Sequence, residues 1–181
     1  QPVSIDAPVA AAPAGDPGHV VAGPSVGGSF TLTDHLGQTV TEKSWPGKKL
    51  LVFFGFTRCP DECPAGLQKI SAVMDAYDAN GDKIQPLFIT VDPARDTQEV
   101  VVAYLKSFNS HIVGLTGTKE QIEAAEKAYK VYAAEHEGMM EHSAFIYLMS
   151  EDNQLLDAID SKSTVDDMVA GIKAHLETAP Q

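Results

Sequence analysis

The run Leu50-Leu51-Val52-Phe53-Phe54-Gly55-Phe56-Thr57-Arg58-Cys59-Pro60-Asp61-Glu62-Cys63-Pro64 constrains this chain more than any other. Its first five residues are continuously apolar, the pattern of a strand buried on both faces, as in a parallel sheet. Gly55 breaks the run, and two cysteines four positions apart follow, each trailed by a proline. They are the only cysteines in the molecule. Beyond Pro64 the apolar positions Leu67, Ile70, Val73, Met74 and Tyr77 share one helical face. The stretch reads strand, cysteine loop, helix. Open α/β folds put their chemistry in such loops, beyond the carboxyl ends of strands.

The rest of the composition narrows what surrounds this loop. A chain of 181 residues with 44% hydrophobic content suits one domain plus a tail. A formal net charge of -12 argues against nucleic acid and anionic membrane surfaces as partners. Two cysteines cannot build a disulfide scaffold, so the pair is redox-active, metal-binding or structural. No apolar run approaches the roughly 18–20 residues of a membrane span. The chain starts at Gln1, so removal of a leader or an amino-terminal anchor is an open expectation.

Residues 1–28 are rich in Ala, Pro, Gly and Val without aromatics or periodicity, and read as a disordered tether. A domain over 29–181 follows. Ser29–Thr33 and Gln38–Thr41 make a hairpin around Asp34-His35-Leu36-Gly37. After the cysteine helix, Asn80-Gly81 is a stop, and Ile84–Val91 is a second apolar strand. Asp96 with Glu99 makes a capping-box pattern for a helix to about Phe108, and Ile112–Leu115 is a short strand. Thr118 with Gln121 caps a helix to about Tyr132. The acidic segment Glu135–His142 reads as irregular. Ala144–Met149 pairs with Gln154–Ile159 across Asp152-Asn153, and Ser163 starts a last helix to about Glu177. This order matches an α/β thioredoxin-like sandwich, a mixed sheet flanked by helices with an amino-terminal hairpin extension.

Pro60 and Pro64 are tolerable only in or before a first helical turn, which puts both thiols at a helix amino terminus. Unpaired N–H groups and the helix dipole there favour thiolates, which serve as metal ligands or exchange nucleophiles. If the loop is helical through Cys63, four residues advance about 6 Å, within reach of a disulfide. Arg58 would add a positive field that Asp61 and Glu62 oppose. The plainer alternative is a structural disulfide or two inert core thiols. Among the histidines, His19 lies in the tail, His35 in a turn and His111 in a loop, while His175 meets a helix carboxyl terminus. His136 and His142 flank the acidic segment, and in a thioredoxin-like sheet the loop before Ala144–Met149 faces the cysteine loop. His142, at the strand's start, is the firmer candidate ligand. Two thiolates and one imidazole suit copper, as Cu(I) on sulfur or Cu(II) with added nitrogen and oxygen. Zinc in a structural site wants four protein ligands. Met139 and Met140 offer thioethers but read as packing.

Four segments in order carry a resemblance: Gly28-Ser29-Phe30-Thr31-Leu32-Thr33-Asp34, then Gly55–Pro64, then Val91-Asp92-Pro93-Ala94-Arg95-Asp96-Thr97, and His142-Ser143-Ala144-Phe145-Ile146-Tyr147-Leu148. On these the chain resembles the Sco/SenC family of copper proteins that help assemble cytochrome c oxidase. The resemblance implies a thioredoxin-like fold and copper ligands at Cys59, Cys63 and His142. It puts Asp92 near the site as an outer-shell group, with a strand-end turn as the plainer reading. Arg95 and Asp96 read as loop-bracing and helix-cap residues. Two departures stand out. Glu141 replaces the aspartate that many relatives carry before the late histidine, making it a second outer-shell candidate. Asp152-Asn153 replaces Asp-Gly in the last hairpin, where Asn tolerates left-handed geometry.

The resemblance further implies a copper metallochaperone delivering copper to the CuA site of cytochrome c oxidase subunit II. Other implied partners are a periplasmic copper chaperone and a thioredoxin-like reductant, with the chain a monomer. The implied location is the periplasmic side of a bacterial inner membrane, through an anchor preceding Gln1, ahead of the mitochondrial intermembrane space. The alternative from a different class is a thiol-disulfide oxidoreductase using the redox pair Cys59 and Cys63 on the CuA cysteines. A thiol peroxidase, suggested by Thr57 before Cys59, leaves the D-P-x-R-D-T and H-S-A-F motifs without a role.

Overall fold

A computed structural model describes residues 26–59, 62–131, 133–136, 139–142 and 145–177, with backbone alone for 62, 133–136 and 139–142. The 1–25 part of the expected tether, and Pro60, Asp61, Ser143 and Ala144, lie outside the described residues.

The apolar run forms the central strand β3 (Lys49–Gly55) of a five-stranded mixed sheet. Leu50 through Phe54 are essentially inaccessible, as a strand covered on both faces requires. Parallel to β3 lies β4 (Ile84–Thr90), and parallel to that the short β5 (Val113–Leu115). On the other side, β8 (Phe145–Met149) runs antiparallel to β3, with β9 (Leu155–Asp160) antiparallel beyond it. The order is β5-β4-β3-β8-β9.

Alternation along β3 sorts its neighbours. The Phe53 ring lies directly on Gly66 of helix α1 (Glu62–Tyr77) and 6.3 Å from the Phe88 ring. Phe88 in turn meets Tyr104 of helix α2 (Gln98–Leu105) at 5.9 Å. Phe54 points the other way, to Tyr129 of helix α3 (Lys119–Tyr129) at 5.4 Å and Tyr147 at 6.4 Å. Helix α4 (Val165–Glu177) runs beside α1, and Lys69 of α1 donates to the Ser161 carbonyl at 2.9 Å. The expected thioredoxin-like sandwich is therefore present, with helices on both faces of the sheet.

The amino-terminal hairpin, β1 (Thr31–Thr33) and β2 (Thr39–Thr41), forms its own two-stranded sheet and bridges to the main body through Thr33 and Thr116. Asp34 holds its turn, accepting from the amides of Leu36 and Gln38 at 2.9 Å each. The Thr118–Gln121 capping box of α3 is present in both directions, at 3.0 and 3.1 Å. Lys130 ends that helix in a left-handed conformation, sooner than the pattern through Tyr132 predicts.

Two local expectations are corrected. The Glu135–His142 segment is not irregular: β6 (Ala133–His136) and β7 (Met139–His142) pair antiparallel as a separate hairpin. Its charged, non-alternating sequence hides a strand period of two. The N-cap of α2 is Thr97, whose hydroxyl accepts from the Val100 amide, and not Asp96. Asp96 is almost fully buried and employed elsewhere.

Candidate functional site

Strand β3 delivers the chain to the cysteine loop through a position that only glycine fits. A side-chain carbon on Gly55 would stand 2.7 Å from Cys63 Sγ and 2.8 Å from the Phe88 ring. The sulfur of Cys63 thus lies on bare backbone at the strand's end. Helix α1 begins at Glu62, so Cys63 is in its first turn and wholly inaccessible. Cys59 precedes the helix in a turn closed by its own amide donating to Phe56 O at 3.2 Å. The second thiol is helical and the first stands just outside, its sulfur accepting the Cys63 amide at 3.4 Å. That amide is among the first-turn N–H groups that no helical carbonyl satisfies, and it stabilises negative charge on Cys59. Arg58 is exposed, so its field is largely spent in solvent.

The loop is clamped from beneath by Asp96. Its carboxylate accepts from the Thr57 amide at 2.9 Å, the Thr57 hydroxyl at 2.6 Å and the Thr90 hydroxyl at 2.8 Å. Thr90 also accepts from the Asp92 amide at 3.0 Å, which joins the end of β4 to the same node. Asp92 is buried, and its carboxylate accepts from Arg95 Nη1 at 3.1 Å. Asp96, Thr57 and Thr90 went unassigned as site-building residues. The available signal was a polar Thr-Asp pair bracketing two apolar strand ends, which propensity alone reads as caps.

Tyr104 of α2 packs on Phe88, the ring that borders the space above Gly55, with centroids 5.9 Å apart. Burial first, then the charges of Cys63, Cys59 and Asp96, push its phenol upward in pKa, so it stays protonated.

The expected third ligand, His142, precedes the strand on the other side of β3. Ile146 of β8 pairs with Phe53, two residues before Gly55. Strand β8 therefore begins at the sheet end that the cysteine loop leaves. His142 ends β7, its backbone opposite Ala133, and His136 pairs with Met139. The side chains of Met139, Met140, Glu141 and His142 lie outside the described residues. Among the described residues no three His, Cys, Asp or Glu side chains form a metal-sized cluster. His111 Nε2 lies 3.0 Å from Ala79 O, and His175 lies 3.7 Å from Asp157, both engaged away from the cysteines. His35 is exposed, and its carbonyl accepts from Gln98 at 2.7 Å.

The SCO1/SenC family model matches residues 20–177. The chain belongs to the SCO1/SenC family. It is 40% identical over 161 residues to protein sco1 of Schizosaccharomyces pombe, covering 84% of this chain and 61% of that protein. Against the mitochondrial SCO1 homolog of Homo sapiens it is 37% identical over 161 residues, covering 84% and 54%. The chain thus spans little more than half the length of these SCO1/SenC relatives. Among solved structures, Arabidopsis thaliana ScoI with copper bound superposes with a TM-score of 0.81 at 37% identity, covering 86% of this chain and all of that one. No helix among the described residues is long and apolar enough to cross a membrane.

Proposed function

We propose that this SCO1/SenC chain is a copper metallochaperone that delivers copper to the CuA site of cytochrome c oxidase subunit II. The observation that carries the proposal is the convergence of Cys59 and Cys63 at one sheet end, over Gly55 and beneath a helix amide, in a fold shared with a copper-bound ScoI. Cys59 and Cys63 supply thiolates and His142 the imidazole, with Asp92 and Glu141 outside them. Soft sulfur suits Cu(I), and the imidazole extends the site to Cu(II). Residues 29–181 form the copper-binding domain and 1–28 its tether. The domain works beside the membrane that holds the oxidase, on the periplasmic side in a bacterium. A net charge of -12 favours a basic patch on the recipient and on any copper-donating partner.

Copper titration of Cys59→Ser, Cys63→Ser and His142→Ala variants tests the ligand set. Each is expected to weaken binding by at least tenfold, and parental affinity in all three overturns the assignment.

One contact favours a second reading, a thiol-disulfide oxidoreductase. The Cys63 amide on Cys59 Sγ prepares Cys59 for attack on a partner disulfide. Cys63 then displaces the partner's thiol, two electrons and two protons pass to the partner, and Cys59–Cys63 becomes the disulfide. His142→Ala separates the roles: copper transfer falls in the first, and reduction of the partner disulfide persists in the second.

A further inference from the structure

The Tyr104 hydroxyl is a buried polar atom with no hydrogen-bond partner among the described residues. Such a group costs folding free energy, and native proteins seldom keep one without a use. Its surroundings are apolar on two sides, with the Phe88 ring at 5.9 Å and the Phe108 ring at 5.5 Å. Phe88 and Cys63 Sγ are the two nearest neighbours of the space above Gly55, and Tyr104 lies against that same Phe88. Burial is the main cause that raises the phenol's pKa, and the ionisable neighbours that add to it are, in order, Cys63, Cys59 and Asp96. A second buried phenol supplies the contrast: the Tyr129 hydroxyl donates to Asn153 Oδ1 at 3.0 Å.

We propose that the Tyr104 hydroxyl is a reserved donor for sulfur, which hydrogen-bonds a cysteine thiolate when the pair carries copper and makes Tyr104 a positioning residue of the site. A thiol is a poor acceptor and leaves the hydroxyl idle, whereas a metal-bound thiolate is charged and accepts well. No proton moves; Tyr104 remains the donor throughout. The bond orients one sulfur and is present only in the loaded state, so it contributes directly to affinity.

The inference rests on the copper reading and is tested with Tyr104→Phe, which keeps the ring, and Tyr129→Phe as the control. Copper(I) affinity is measured by competition with a chelator, melting by calorimetry on the reduced metal-free protein, and the thiolate-to-copper(II) band by absorbance. Tyr104→Phe is expected to weaken copper binding about tenfold to a hundredfold, the range of a hydrogen bond to a charged group. The same variant should move the band, while the metal-free melting temperature holds or rises. Tyr129→Phe should lower that temperature by about 2–4 °C and leave copper affinity unchanged. Parental affinity in Tyr104→Phe overturns the proposal, whether or not its melting temperature falls, since a fall alone means that water satisfies the hydroxyl. If affinity and melting both fall, a displaced band sustains the proposal and an unmoved band overturns it. Failure of the parent to bind copper overturns the copper reading itself, a result distinct from parity between parent and variant.

Discussion

Asp96 accepts a 2.6 Å hydrogen bond from the Thr57 hydroxyl and a 2.9 Å bond from the Thr57 amide, two positions before Cys59. One carboxylate, 39 residues away along the chain, thereby fixes the backbone from which the first thiol hangs. Asp96→Ala strands three donors in a buried place and should cost about 3 kcal/mol. Thr57→Val removes only the hydroxyl donor and should cost about 1 kcal/mol. Because both act on one node, the double variant should lose less than the sum. Urea denaturation of the four proteins checks this, and strict additivity would dismiss the node.

Gly55→Ala places a carbon within 2.7 Å of Cys63 Sγ and 2.8 Å of the Phe88 ring. Neither neighbour is a flexible chain end, since the sulfur is rooted in α1 and the ring in β4. Overpacking of this kind costs about 1–3 kcal/mol. Copper affinity should also fall by at least tenfold, because the sulfur must shift to admit the methyl group. A stable variant with unaltered affinity would show that Gly55 is not the floor of the site.

Asn153 holds φ at 58° and spends its side chain twice, accepting from Tyr129 at 3.0 Å and donating to the Gly28 carbonyl at 2.6 Å. Glycine relaxes the backbone but loses both bonds, which tie α3 and the start of the domain to the β8–β9 turn. Asn153→Gly should therefore destabilise by about 1 kcal/mol, despite the easier φ. A gain in melting temperature would mean that the backbone term dominates.

Glu126 on α3 is half-buried, and burial with the nearby Glu123 pushes its carboxyl up to about 7. The folded protein holds this proton more tightly than the unfolded chain. Below about pH 4.5 both states are protonated and the residue costs nothing; the penalty grows as pH rises and is complete above about 7. Glu126→Gln should add on the order of 1 kcal/mol at pH 8, reduced from the full shift because the group is partly solvated, and nothing at pH 4. Melting curves at the two pH values check the sign.

Much of this was legible in local chemistry. The apolar run of β3 declared a strand covered on both faces, and Thr118 with Gln121 declared a helix start, because each pattern has one low-energy reading. Asn153 likewise announced a turn. Asp96 and Thr97 were not separable from sequence: both are good caps, and tertiary burial decided that the first would clamp the cysteine loop. The β6–β7 hairpin escaped because its residues offer no apolar alternation. Tyr104 looked like packing, since nothing in a helical period tells where a hydroxyl ends up. For His142 the backbone is described only as the end of β7, opposite Ala133, and its role stands as a proposal.

The cysteines and the proposed ligand His142 hang from strands of very different support. β3 has a ladder on each side and no accessible residue from Leu50 to Phe54, so its amides should exchange with solvent only on global unfolding. Among the described residues the β6–β7 hairpin shares no ladder with the five-stranded sheet, and two strands alone are marginally stable in water. Deuterium uptake should be fast there and slow in β3. On the proposed copper reading, the cysteines keep a fixed support while the strand that carries His142 is the part that gives way.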